Sequence, residues 1–148
     1  MPEFELPDES GSPVKLSGLL EHGPVVLFFY PAAMTYGCTK ESCHFRDLKS
    51  EFESLGAQRV GISGDSVEKQ KLFSKKHNFD FPLLSDADGV VATQLGVRRA
   101  IGALGNKRTT FVIDTDATIL EIIHTEVSMN AHGDRALEVL RAHRRHAS

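Results

Sequence analysis

The stretch Val25-Val26-Leu27-Phe28-Phe29-Tyr30-Pro31-Ala32-Ala33-Met34-Thr35-Tyr36-Gly37-Cys38-Thr39-Lys40-Glu41-Ser42-Cys43-His44-Phe45-Arg46-Asp47 decides the fold. Its first part, Val25 to Tyr30, is apolar at every position. A strand with one wet face alternates, so a run apolar on both sides reads as a central strand covered on both faces. Pro31 ends the run and a loop leads to Gly37. A helix is predicted from about Thr39 to Leu55, because Phe45, Leu48, Phe52 and Leu55 recur at spacings of three and four and mark one buried face. Gly56 is a natural stop.

The flanks extend this strand-loop-helix unit. Phe4 to Leu16 reads as a hairpin or two edge strands, with Pro7 to Pro13 as the turn. Gln58 to Ile62 reads as a second strand, Ser66 to His77 as a helix, and Phe81 to Leu84 as a short extended piece. Asp86 to Gly89 is a turn, Val90 to Leu95 a short helix, and Arg98 to Lys107 a small, basic, glycine-containing loop. Thr109 to Ile113 and Ile119 to Thr125 form a hairpin about Asp114 to Ala117, and a last helix runs from Asp134 to about Arg145. Alternating strands and helices that end in a hairpin define an α/β domain. The expected architecture is thioredoxin-like: a mixed central sheet flanked by helices, with an N-terminal β-hairpin, as a single domain over 1–148.

Composition bounds the function. The chain has 148 residues, 41% hydrophobic and 25% charged, with a formal net charge of -3. That length suits one core, and that charge makes no case for nucleic acid. The acidic, proline-broken start does not read as a signal peptide, and the longest apolar run falls far short of the roughly 20 residues of a membrane span. A soluble, cytoplasmic protein is expected. Its two cysteines, Cys38 and Cys43, are too few for a secreted disulfide framework.

Cys38 lies where a helix begins, among unpaired N–H groups and the positive end of the helix dipole, which favour a nucleophilic thiolate. By position alone it can equally be a small buried hydrophobe. Cys38 precedes Phe45 by seven residues and therefore points toward the buried face; Cys43 lies about 140° around the helix and points outward. On an intact helix their Cα atoms would stand about 8.6 Å apart, beyond disulfide reach, so bonding requires local unwinding. Glu41 also falls on the inward face and needs a cationic partner, for which Arg108 is one candidate. Helix-start charge preference is the alternative for Glu41, and spacing alone favours Arg108 as a surface arginine at a strand end.

The segment FYPAAMTYGCTKESCHFRD resembles peroxiredoxins of the bacterioferritin-comigratory-protein, or Q, subfamily. The pattern is Pro-x-x-x-Thr-x-x-Cys, here Pro31, Thr35 and Cys38, with a second cysteine, Cys43, five residues on. GISGDSVEKQKLFSKKHNFDFPLLSDADGVVATQLGV and KRTTFVIDTDATI carry the similarity over nearly the whole chain. The resemblance implies a peroxidatic Cys38, a resolving Cys43, a Thr35 hydroxyl bonded to thiolate and peroxide, and Pro31 as a shield from water. It also implies Arg108 as the stabilising cation and Glu41 as its orienting carboxylate. Peroxide is the implied substrate, thioredoxin or a similar thiol the reductant, and no cofactor or metal is implied. The subfamily implies a monomer, with a weak dimer as the alternative. Tyr36 departs from the proline that many members carry before Gly-Cys.

Two rival readings stand beside this one. A thioredoxin-like fold without Cys-x-x-Cys can be a non-catalytic binding or holdase module. Cys38, Cys43 and His44 can be imagined as metal ligands, but four are expected for structural zinc and no second pair lies nearby. The histidines carry no site reading: His124, His132, His143 and His146 are scattered, and His44 and His77 read as lying on exposed faces. Met34 reads as packing, and Lys69, Lys71, Lys75 and Lys76 as a solvated helix face.

Overall fold

The computed structural model describes residues 1–98 and 105–147. Strand β3 (Val25–Phe29) is buried at every position and lies at the centre of a five-stranded sheet. It pairs in parallel with β4 (Gln58–Ser63), which pairs in parallel with β5 (Leu83–Ser85). On its other side β3 pairs antiparallel with β6 (Thr109–Ile113), and β6 antiparallel with β7 (Ile119–His124). The order is β5-β4-β3-β6-β7.

The pleat of β3 divides its side chains between two cores. Val26 and Phe28 face α2 (Tyr36–Asp47), α3 (Lys49–Ser54), α4 (Val67–His77) and α6 (Ala131–Ala147), through Phe45, Phe52, Phe73 and Leu137. Val25, Leu27 and Phe29 face the N-terminal hairpin β1 (Glu5–Pro7) and β2 (Pro13–Lys15), with α1 (Leu16–Leu20) and α5 (Val90–Gln94). This is the expected thioredoxin-like arrangement, with helices on both faces of a mixed sheet.

Several boundaries differ from expectation. Leu16 begins a short helix whose Leu16 and Leu20, one turn apart, are both buried; it does not end the hairpin. The predicted helix from Thr39 to Leu55 begins earlier, at Tyr36, and breaks at Leu48, where φ is -90° and ψ is 16°. Arg59 of β4 donates from Nη1 to the Phe45 carbonyl at 2.9 Å. The same carbonyl also accepts from Leu48 N–H, three residues on, at 3.3 Å. Gly56, with φ of 66°, terminates α3 as expected, and Ala57 N–H donates back to the Phe52 carbonyl.

The last helix starts at Ala131, three residues before the expected Asp134. Gly133, a poor helix former, sits in its first turn because a Cβ there would meet Leu48 Cδ1 at 3.0 Å. The Arg98 to Lys107 loop falls largely on residues 99–104, outside the described residues; Arg98 pairs with Asn106 across its base. No helix among the described residues is long and apolar enough to cross a membrane.

Candidate active site

Cys38 lies in the first turn of α2, at the C-terminal end of β3, and is completely buried. Its sulfur accepts from Arg108 Nη2 at 3.4 Å. Arg108 immediately precedes β6, and antiparallel pairing of Thr109 with Phe29 delivers it beside the start of α2. Its backbone N–H donates to Glu126 Oε2 at 2.9 Å, which secures the turn of chain that carries it. Gly37 leaves the path open: a Cβ there would meet Arg108 Nη2 at 3.1 Å and Met129 Sδ at 3.4 Å.

Glu41 lies one turn beyond Cys38, also completely buried, and its Oε1 accepts from Arg108 Nη1 at 2.8 Å. Of the two readings that spacing left open for this pair, the structure selects the engaged one. Burial pushes the Glu41 carboxyl up to about 8, although the Arg108 charge pulls it down. Arg108 is held above its ordinary value by Cys38 and Glu41, against its own burial. The Glu41 oxygen accepts from the guanidinium on one side while the other guanidinium nitrogen meets the sulfur.

The loop from Pro31 to Thr35 lies beside the cysteine. Asp65 Oδ2 accepts from Ala33 N–H at 2.6 Å and from Ser63 Oγ at 2.6 Å, tying this loop to the end of β4. Gln70 Nε2 donates to Ser63 Oγ, and Tyr30 Oη donates to Gln70 Oε1. The loop is thus anchored through buried polar groups of three elements. Thr35 is exposed and its hydroxyl donates to the Ala32 carbonyl at 2.8 Å, not to Cys38, so its oxygen retains lone pairs. Pro31 is half-buried at the start of the same loop. Met34, expected to be packing, is exposed and adopts a left-handed φ of 68°. Anchoring of the preceding residue, Ala33, by Asp65 constrains the tight turn there.

Cys43 is reduced, as is Cys38, and is half-buried where outward exposure was expected. Burial raises its thiol above the ordinary value. The two cysteines lie on one unbroken helix, α2. His44, expected to be exposed, is half-buried; its Nε2 lies 2.8 Å from Asp134 Oδ1, joining α2 to α6. Among the described residues no group of three or more His, Cys, Asp or Glu side chains could hold a metal ion.

His132 is the residue that sequence reading missed most plainly. It is completely buried, with Nδ1 2.7 Å from Thr110 Oγ1 and Nε2 3.0 Å from the Thr125 carbonyl. It lies on α6 with Nε2 3.5 Å from Glu41 Oε2. Its sequence signal was weak: a histidine in a polar turn, far along the chain from Cys38.

A buried cysteine at a helix start, contacted by an arginine that a buried glutamate holds, defines a thiol-chemistry site on a thioredoxin-like frame. The AhpC/TSA family model matches residues 1–122. A peroxiredoxin of Mycobacterium tuberculosis is 62% identical over 144 residues, covering 95% of this chain and 92% of the relative. The chloroplastic peroxiredoxin Q of Sedum lineare is 40% identical, covering 95% of this chain and 75% of its own length. The crystal structure of peroxidoxin BcpB from Mycobacterium tuberculosis superposes with a TM-score of 0.92 at 61% identity, covering 96% and 94% of the two chains. The bacterioferritin comigratory protein of Xanthomonas campestris, studied for alkyl peroxide reduction, superposes with a TM-score of 0.86 at 32% identity, covering 95% and 91%. The chain belongs to the AhpC/TSA family. Within it, the chain is a peroxiredoxin of the Q, or bacterioferritin-comigratory, type: a thiol-dependent peroxidase.

Proposed function

We propose that Cys38 is the peroxide-reactive thiolate and Cys43 its resolving partner, in a peroxidase that takes hydrogen peroxide and organic hydroperoxides. The observation that carries this reading is the contact between Arg108 Nη2 and the buried Cys38 sulfur. In the first step the thiolate attacks the terminal peroxide oxygen and the O–O bond breaks. Sulfur is oxidised to sulfenic acid, and the leaving RO⁻ takes a proton to become ROH. Arg108 stabilises the charge that develops on the departing oxygen, and Glu41 aims the guanidinium. The Thr35 hydroxyl orients the peroxide, while Pro31 limits the access of water.

In the second step Cys43 displaces water from the sulfenic acid and forms an intramolecular disulfide. On an intact α2 the two Cα atoms would be about 8.6 Å apart, so the first turns must unwind. A thioredoxin-like dithiol then reduces the disulfide by exchange and becomes oxidised itself. The protein acts as a cytoplasmic monomer without metal or prosthetic group.

Peroxide consumption coupled to thioredoxin and its reductase tests this reading. Cys38→Ser abolishes turnover; turnover by that variant overturns the assignment. Sedimentation of the reduced protein as a stable dimer overturns the monomer.

A further inference from the structure

We propose that His132 is a positioning residue for peroxide reduction, bracing the outer oxygen of Glu41 so that the inner one keeps Arg108 aimed at Cys38. This rests on the reading of Cys38 as the peroxide-reactive group.

The hydrogen-bond partners assign the tautomer. The Thr125 carbonyl can only accept, so Nε2 at 3.0 Å carries the ring proton and donates to it. Nδ1 is then the acceptor, and the Thr110 hydroxyl at 2.7 Å donates to it. Burial and the nearby Arg108 push the imidazole down, which keeps it neutral. Glu126 and His124 are the other titratable groups whose charge reaches the ring.

Nε2 also lies 3.5 Å from Glu41 Oε2, a close polar contact outside hydrogen-bond geometry, because its N–H is directed at the Thr125 carbonyl. Oε2 is buried without a hydrogen-bond partner, and its lone pairs accept whether or not the carboxyl is ionised. Oε1 accepts from Arg108 Nη1, and Arg108 Nη2 meets the sulfur. Thr110, His132, Glu41, Arg108 and Cys38 therefore form one continuous line from β6 through α6 to α2. The Arg108 Nε has no partner of its own, so the direction of the guanidinium depends on Glu41. A bare hydrophobe at position 132 would leave Oε2 free to rotate, carrying Arg108 with it.

The test compares second-order rates of the reduced protein with hydrogen peroxide and with iodoacetamide. Iodoacetamide needs the thiolate but no aimed guanidinium. His132→Leu is expected to lower the peroxide rate about tenfold relative to the iodoacetamide rate. His132→Gln, whose amide N–H can replace Nε2–H, is expected to recover most of that ratio. An unchanged ratio in His132→Leu, or equal losses in both variants, overturns the proposal. If His132→Leu fails to fold, Thr110→Val decides: it is isosteric and removes only the hydroxyl that holds the tautomer. A several-fold fall in the ratio supports the proposal and an unchanged ratio overturns it. If the wild-type Cys38 itself does not react with peroxide, the reading of the site fails instead, which is a separate outcome.

Discussion

Arg108 bridges Glu41 and Cys38, with Nη1 2.8 Å from the carboxyl oxygen and Nη2 3.4 Å from the sulfur. All three side chains are buried. A planar guanidinium serves both partners at once, which a single lysine ammonium cannot do with the same geometry.

Glu41 makes stability depend on pH. Its carboxyl ionises near 4.5 in an unfolded chain but is pushed up to about 8 in the folded protein, chiefly by burial. The folded state therefore keeps a proton that the unfolded state loses between those values. The stabilisation is complete below pH 4.5 and is lost as pH rises through 8. Glu41→Gln should flatten this part of the profile. Its melting temperature should also be lower at pH 5, because the amide nitrogen can face His132 Nε2–H. Thermal unfolding of both proteins from pH 5 to 9 checks this.

Oxidation should loosen α2 and spare α3. The break at Leu48 separates the segment that must unwind from the one that need not. Amide exchange over Tyr36–Asp47 should accelerate in the disulfide form, while Lys49–Ser54 stays protected. In Cys43→Ser the protein should react once with peroxide and stall as sulfenic acid, with α2 still protected. Exchange mass spectrometry of the three states reads both outcomes.

The His44–Asp134 contact at 2.8 Å ties α2 to α6 and opposes that unwinding. Its carboxylate is mostly exposed, so the contact contributes at most about 1 kcal/mol. Asp134→Asn should therefore speed disulfide formation by up to about fivefold. The initial reaction of Cys38 with peroxide should keep its rate, since Asp134 touches neither Cys38 nor Arg108. Stopped-flow kinetics with hydrogen peroxide separates the two phases.

Gly37→Ala should divide stability from activity. Alanine favours the helix by up to about 1 kcal/mol. Its Cβ, however, would stand 3.1 Å from Arg108 Nη2, and the flexible guanidinium is what must yield. The melting temperature should hold or rise while the peroxide rate falls several-fold. A lost melting temperature with an unchanged rate would contradict the assigned role of Gly37.

Much of the fold was legible because its signals are local. The unbroken apolar run of β3 announced a central strand, and the turn at Gly56 announced the end of α3. The hairpin of β6 and β7 followed from its turn residues. The Arg59 contact beside the Leu48 break was illegible, because Arg59 lies on another element. Leu16 to Leu20 was missed because five residues carry too little periodicity to outweigh the neighbouring hairpin.

Local sequence sufficed to place a cysteine at a helix start after a buried strand, with a second one around the same helix. Those facts depend on residues a few positions apart, where backbone geometry fixes direction. Long-range packing was needed to bring Arg108 to Glu41, Asp65 to the loop at Ala33, and His132 behind Glu41. Each of these depends on strand pairing and helix packing between distant segments. A buried polar group can accept any neighbour of suitable charge until the fold chooses one.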